Sequence, residues 1–308
     1  MDRLQAMNTF VRVVETGNFS AAAREQNRTQ SSVSKQVAAL ERELGARLLN
    51  RTTRALSPTV EGERYFEQAR RLVAEIAEAE SSLRRGEGQL TGWLRVAASV
   101  GYGRMVLMPL VRSFLASHPD VKIDLKLDDG FIDLIDQGID VAVRIGDLVD
   151  SGLIARRIGT AERALVASRK YLRTLPKGVG LPRSPADLAQ HNCIVYTELA
   201  ARGDWTFVAG SGASAAVGTV VTLRVAGNLQ TNSSEVIRAA VLAGMGISYS
   251  PTWLFREELA SGELQILLPD WPMRPLPLHL VSPAQRRHSA KVKAFGEHVA
   301  SALAMEQN

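Results

Sequence analysis

Cysteine is almost absent from this chain of 308 residues: Cys193 is the only one. One thiol cannot build a disulfide framework or a Cys-rich metal module, and it suits a reducing cytoplasm. Histidine is sparse as well, and His118, His191, His279, His288 and His298 are scattered without the spacing of a metal site, so no metal and no cofactor is expected. No apolar run approaches the roughly 20 residues that a membrane span needs. Asp2, Arg3 and Glu15 interrupt the N-terminal apolar residues, which argues against a signal peptide. A soluble, cytoplasmic protein with no membrane partner is therefore expected. Charge of one sign does not dominate either. The net +5 permits an anionic partner without naming one. What remains is ordinary globular composition, 45% hydrophobic, with room for two or three domains.

The informative stretch is Ser20 to Arg54. Before it, Leu4, Met7, Phe10, Val11 and Val14 recur at helical spacing, predicting a first helix over Asp2–Thr16 that Gly17 ends. Ser20 is the expected cap of a short alanine-rich second helix reaching Gln26, and Thr29 of a third reaching Leu44, with Gly45 behind it. Val33, Val37, Leu40 and Leu44 form the buried stripe of that third helix. Thr29, Gln30, Ser31, Ser34, Lys35 and Ala38 lie off the stripe, and Asn27 to Leu40 contains no acid. Arg47, Arg51 and Arg54 follow around Asn50-Arg51-Thr52-Thr53, a hairpin or wing, again without an acid.

These features have a reading on DNA. A helix fits the major groove, and small polar residues in its first turn can reach base edges while the helix N-terminus faces phosphate. Gln pairs with adenine, Lys donates to guanine, and wing arginines suit phosphates or a narrow minor groove. Periodicity and charge alone fit an ordinary helical subdomain equally well.

The run from Ala21 to Arg54, A-A-A-R-E-x-x-x-T-Q-S-S-V-S-K-Q-V-A-A-L-E-R-E-L-G-A-R-L-L-N-R-T-T-R, closely resembles the winged helix-turn-helix of the LysR-type transcriptional regulators. The match continues through L-S-P-T-x-x-G, Leu56 to Gly62, and over essentially the whole chain. The resemblance places the base-contacting positions on Gln30, Ser31, Ser34 and Lys35 and the wing arginine on Arg54. With them we group Ser20, Arg28, Thr29, Arg51 and Thr52 as candidate DNA contacts. Two departures stand out. The family has apolar residues flanking the turn between helices two and three, where this chain has Gln26 and Arg28; either the turn packs loosely, or the Arg28 head group escapes to solvent or phosphate. Lys35 stands where the family often has Arg, keeping the cation without its planar fork.

Thr59 to Arg85 is expected as one long helix, with Phe66, Ala69, Val73, Ile76, Glu80 and Leu83 at the a/d spacing of a coiled coil. Such a seam can pack within the chain or on a twin. The resemblance implies the twin, hence a dimer through this helix, a tetramer built from dimers, and a pseudo-palindromic double-stranded DNA site. Gly86 to Gly92 follows as a hinge.

Beyond the hinge, strands at Leu94–Ser99, Val121–Leu127 and Val141–Ile145 alternate with helices at Gly103–His118 and Phe131–Gln137, implying a parallel sheet. A second unit has strands at Ala164–Ala167, Cys193–Tyr196 and Gly246–Tyr249 and a helix at Asn232–Ala243. Leu278–Ser282 and Ser289–Leu303 return as strand and helix. The fold class is α/β with an all-α N-terminal part. Its expected divisions are a winged helix-turn-helix (1–58), a linker helix (59–88) and a domain (89–308). The resemblance implies that this domain is two-lobed and periplasmic-binding-protein-like, with lobe I about 92–162 and 270–303 and lobe II about 163–269. Its crossing strands would lie near Thr160–Leu165 and Leu267–Trp271.

A small molecule in such a fold binds outside the carboxyl ends of the strands. The candidate effector residues are Ser99, Val100, Gly101, Tyr102, Asp129, Ile145 and Gly146 from one lobe. From the other come Thr197, Thr231, Asn232, Met245 and Gly246. Free N–H groups at the Gly101-Tyr102-Gly103 turn would favour a carboxylate or other anion, although Ser99 can equally cap its own helix.

No catalytic constellation is expected. Gly101-x-Gly103 lacks the third glycine of a dinucleotide fingerprint, and Gly244-x-Gly246 precedes a strand, the wrong order for phosphate binding. Cys193 opens a buried strand as an inert thiol, and Arg144 is expected to pair with Asp147 or to face an anion. The chain reads as a DNA-binding regulator with an effector domain, not an enzyme. The alternative is a solute-binding receptor or α/β enzyme carrying an accessory helical domain.

Overall fold

The computed structural model describes residues 2–51, 56–85, 90–130, 132–148, 152–198, 203–286 and 289–306. Thr52, Arg54 and the hinge residues 86–89 lie outside these, as do the side chains of Arg51, Glu80 and Leu83. Two compact units are present, one built on residues up to Trp93 and one on Leu94–Ile135 with Ile139–Asn308.

In the first unit, α1 (Arg3–Thr16) is capped by Asp2, whose carboxylate accepts the Gln5 N–H at 3.1 Å, and closed by Gly17 in the left-handed region. Its buried stripe is Ala6, Thr9, Phe10, Val11 and Val13, which leaves Leu4 exposed. The second helix, α2 (Phe19–Glu25), is capped by Asn18, which accepts the N–H groups of Ser20 and Ala21, so Ser20 lies inside the first turn and is not the cap. Both residues are capping types; Asn18 has the extended backbone that a cap requires. The third, α3 (Gln30–Leu44), starts at Thr29 as expected and ends at Gly45. Strands β1 (Leu49–Arg51) and β2 (Leu56–Pro58) form the antiparallel wing.

The long helix α4 (Val60–Arg85) begins where Thr59 accepts the Gly62 N–H at 2.9 Å. Its first turns enter the core of this unit. Ala69 is fully buried, and Tyr65 and Phe66 pack on Phe10 with ring centroids 5.6 and 6.4 Å away. Phe66 and Ala69, the first two residues of the expected coiled-coil seam, are therefore spent inside the chain's own core, while Leu72 and Ile76 beyond them are exposed.

The second unit has two five-stranded sheets, each mixed and not purely parallel. Lobe I has the order β4-β3-β5-β14-β6, from β3 (Gly92–Ala98), β4 (Val121–Leu127), β5 (Val141–Ile145), β6 (Ile154–Ala161) and β14 (Leu276–Ser282). Here β3 and β5 are parallel, and β14 runs antiparallel to both β5 and β6. Lobe II has the order β11-β8-β12-β7-β13, from β7 (Arg163–Ser168), β8 (Cys193–Tyr196), β11 (Leu229–Thr231), β12 (Ile247–Pro251) and β13 (Leu264–Leu267). Beside the parallel pairs β8–β11 and β8–β12, β7 runs antiparallel to both of its neighbours, β12 and β13. In each sheet the antiparallel member, β14 or β7, is a strand next to a crossover.

Three further departures have local causes. The helix expected at Gly103–His118 starts earlier, as α5 (Val100–Tyr102), then a π-helical turn over Gly103–Leu107, then α6 (Met108–Ser117). Of the helix expected at Phe131–Gln137, Phe131 lies outside the described residues and 132–137 are not helical: Asp133 accepts the Ile135 N–H at 2.8 Å, and the Ile139 N–H bonds to Leu134 O in a run of turns. A hairpin of β9 (Asp204–Val208) and β10 (Val220–Arg224) flanks the Gly/Ala/Ser stretch, and Asp270 and Pro272 accept backbone bonds from Gly210 and Val208, so the return segment 270–273 packs on lobe II. The remaining helices are α7 (Arg169–Arg173), α8 (Ser234–Ala243), α9 (Arg256–Ser261) and α10 (Ala290–Glu306), the last packing Phe295 on Phe114 at 5.2 Å.

One contact holds the wing to the long helix. A Cβ on Gly62 would lie 1.9 Å from the carbonyl oxygen of Leu48, which also accepts the Thr59 N–H at 2.9 Å. Gly62→Ala should therefore destabilise the first unit by on the order of 2–4 kcal/mol despite alanine's better helix propensity. Thermal unfolding followed by circular dichroism, with Glu63→Ala as control, checks this; a wild-type curve for Gly62→Ala would remove the contact from this role.

Candidate DNA-reading head and effector cleft

With Val33, Val37 and Leu40 buried, the opposite face of α3 turns to solvent. Gln30, Ser31 and Lys35 are exposed on it, and Ser34 is half-buried beside them. Thr29, at the N-cap, accepts the Ser32 N–H at 3.3 Å and lies 3.1 Å from the Ser31 hydroxyl. Four of the expected contacts are thus assembled on one helical turn and a half, at a helix N-terminus that favours anions. Arg47 is exposed on the approach to the wing. From α3, Glu41 accepts the N–H groups of Leu48 and Leu49 at 2.9 and 3.1 Å, so the reading helix sets the start of β1.

The polar turn has its own solution, and it is neither loose packing nor escape to solvent. Arg28 donates from Nη1 to Gln36 Oε1. The fully buried Thr9 hydroxyl lies 3.1 Å from both Gln26 Oε1 and Gln36 Oε1, and with one proton it serves one of them at a time. Gln36 Nε2 donates to Gln5 Oε1 at 3.3 Å. Asn27 sits at φ +51, a conformation that Asn tolerates better than most residues.

In the second unit, Ser99, Val100, Gly101, Tyr102, Asp129, Ile145 and Gly146 all lie at the carboxyl edge of the lobe I strands. Ser99 occupies the N-cap of α5 but makes no side-chain cap bond, so its hydroxyl is not committed to its own helix. In the Gly101-Tyr102-Gly103 turn, the site of the expected free N–H groups, the Gly103 N–H donates to Ser99 O at 2.8 Å, and the neighbouring Val100 N–H is taken by Asp129 Oδ1 at 2.9 Å. Gly146, at φ +105, donates to Pro277 O at 2.9 Å. Across the cleft, Thr197 donates its N–H to Thr231 O at 2.9 Å, and exposed Asn232 follows.

Met245 and Gly246 are misplaced in the expected set. Since β12 runs parallel to β8, with Ile247 opposite Cys193, they precede the strand at its amino edge, held against Asn192, while Thr197 and Thr231 mark the other edge. Residues that sequence reasoning missed face the cleft between the lobes instead. Tyr196 is buried enough to push its phenol well up, and Asp129 from the facing lobe and Glu198 push it further. Trp253 meets Tyr102 edge to face at 5.3 Å, and Arg104 binds both carboxylate oxygens of Glu235, at 2.9–3.2 Å. A Cβ on Gly101 would lie 2.4 Å from Ser234 Oγ. No local pattern marks Tyr196, Trp253, Arg104, Glu235 or Ser234, because their partners lie across the lobes.

At the crossover, Arg163 donates from Nε and Nη2 to Arg274 O and covers the Tyr249 ring at 4.0 Å. Burial lowers the Arg163 pKa and raises that of Tyr249 to about 12. Arg144 does not pair with Asp147; it donates to Ile132 O at 2.7 Å. Cys193 is fully buried and its thiol is pushed up to about 12 by desolvation, which makes it a poor nucleophile. Among the described residues there is no cluster of three or more metal-binding side chains, and no helix is long and apolar enough to cross a membrane.

A winged helix-turn-helix followed by a long helix and a two-lobed α/β domain defines a DNA-binding regulator with an effector-binding domain. Comparison with known proteins agrees. Residues 4–63 match the bacterial regulatory helix-turn-helix protein model of the lysR family, and residues 87–304 match the LysR substrate binding domain. An uncharacterized HTH-type transcriptional regulator of Haemophilus influenzae is 32% identical over 292 residues, 95% of this chain and 98% of that protein. The solved structure of CrgA, a LysR-type transcriptional regulator from Neisseria meningitidis, is similar with a TM-score of 0.61 at 32% identity, covering 97% of this chain and 98% of that one. Full-length AphB, a virulence activator of Vibrio cholerae, has a TM-score of 0.58 at 29% identity over 97% and 98% of the two chains. The chain belongs to the LysR family of transcriptional regulators, and its relatives are regulators, not enzymes.

The contact between Gly101 and Ser234 is testable. Gly101→Ala should push the lobes apart locally and raise hydrogen exchange in segments 100–103 and 234–237 of the full-length protein, and adding Ser234→Gly should restore protection. Unchanged exchange in Gly101→Ala would disprove the close approach.

Proposed function

We propose that the protein reads a promoter site in cytoplasmic double-stranded DNA through Gln30, Ser31, Ser34 and Lys35, and that a small molecule in the lobe cleft alters how paired reading heads sit. The observation that carries this is the first turn and a half of α3, with its apolar stripe buried and its acid-free polar face exposed. Gln30 and Lys35 supply base-edge partners, and Arg47, with Arg51, Thr52 and Arg54 of the wing, supplies backbone contacts.

Two heads are joined by α4. Leu72 and Ile76, 47% and 38% exposed, continue the apolar ridge beyond the part buried in the chain's own core. A twin helix covering them gives a dimer with two-fold symmetry and hence a pseudo-palindromic site; effector domains pairing in turn would give a tetramer.

The effector edge is Ser99 to Tyr102, Asp129, Tyr196, Thr197 and Thr231. Donors that an anionic effector would use are held by internal carboxylates, Val100 N–H by Asp129 and Arg104 by Glu235. Such an effector binds by replacing one of them. Because the Arg104–Glu235 pair spans the lobes, replacement changes lobe closure, which gives occupancy the differential free energy that a switch requires.

Gln30→Ala and Lys35→Ala should each cost about 1–3 kcal/mol on the target and relax base preference, whereas Arg47→Ala should weaken all sequences alike. Anisotropy titrations on the target and on scrambled DNA check this. A wild-type chain without salt-sensitive, sequence-preferring binding would sink the proposal. Leu72→Asp with Ile76→Asp should dissociate the dimer in sedimentation velocity; an intact assembly would exclude this face of α4.

A further inference from the structure

Arg28 was a candidate DNA contact because it is a cation beside the reading helix, but its guanidinium is turned onto Gln36. Gln36 lies three residues after Val33 and four before Leu40, on the flank of the buried stripe and not on the outer face with Gln30, Ser31 and Lys35. From there one side chain meets three residues on two other elements. Its oxygen faces the Thr9 hydroxyl of α1 at 3.1 Å and takes the Arg28 donor from the turn, and its Nε2 donates to Gln5 on α1 at 3.3 Å. The second Thr9 partner, Gln26, caps the end of α2. Apolar side chains at the turn would fill space without direction, whereas these bonds fix angle and register.

We infer that Gln36 and Arg28 are positioning residues for DNA recognition: together they set the rotation of α3 against α1 and the turn, and Arg28 is not a phosphate contact. This rests on the reading of α3 as the base-reading helix. Base readout needs side chains held at hydrogen-bond distance from groove edges, so a small rotation of α3 costs discrimination before it costs non-specific binding, which depends on charge near phosphate.

The test uses the full-length protein, a duplex selected by the wild type from a random pool, and a scrambled duplex of equal length and composition. Each is titrated at several salt concentrations. Arg28→Ala should lower the ratio of target to scrambled affinity about tenfold and leave the salt slope unchanged; a slope lower by about 1 on both duplexes would show a phosphate contact and overturn the inference. Gln36→Leu should lower the ratio similarly, because Thr9 keeps Gln26, while Gln36→Glu, which still accepts from Arg28, should stay within about twofold of wild type. If Gln36→Leu does not fold by circular dichroism, Arg28→Ala decides. Folded variants with the wild-type ratio, or with equal loss on both duplexes, would reduce the network to ordinary packing. Failure of the wild type to select any sequence would instead defeat the DNA reading itself.

Discussion

The reading head depends on how closely α4 can approach the backbone at Leu48. That carbonyl accepts the Thr59 N–H, and Gly62 packs directly against it because it has no Cβ. From the other side, Glu41 of α3 holds the N–H groups of Leu48 and Leu49. One short segment is thus gripped by the recognition helix and by the start of the long helix. The Thr59 hydroxyl adds a bond to Arg47 O at 2.7 Å. The geometry of the wing therefore follows from that of α3 and α4 together.

The effector domain solves a different problem, joining two sheets in one compact unit. Only two segments cross between lobes, and Arg163 ties them by bonding to Arg274 O and stacking on Tyr249. At the cleft the facing groups are polar or aromatic: Arg104 with Glu235, Tyr102 with Trp253, and Asp129 near Tyr196. Contacts of this kind can be exchanged for ligand at modest cost, unlike the aliphatic interior of either lobe.

Much of this was legible in the chain itself. Caps at Thr29 and Thr59 and the stop at Gly45 follow from side-chain chemistry within four residues, β4 follows from strict apolar–charged alternation, and β5 and β8 follow from short apolar runs. What escaped depends on partners distant in sequence. Nothing near Phe66 and Ala69 says that their neighbour is Phe10 and not a second copy of the helix. Met245-Gly246 looked like a loop at the ligand edge until strand direction put it at the other end. The doubtful polar turn at Gln26 and Arg28 is resolved by Thr9 and Gln36, each too far along the chain for any local pattern to pair with them. The contacts between the lobes made by Arg104, Ser234, Glu235 and Trp253 share that origin.

The tie between Arg163 and Arg274 has an architectural meaning. The chain leaves lobe I at Ala161 and returns to it at Leu276, and these two points pair across the sheet. Lobe II is accordingly a cassette inserted into a single loop of lobe I, with its entry and exit side by side. Such a module can change its loops and its ligand without disturbing the continuity of its host, so one lobe is free to diversify in chemistry while the other keeps the connection to the DNA-binding end of the chain.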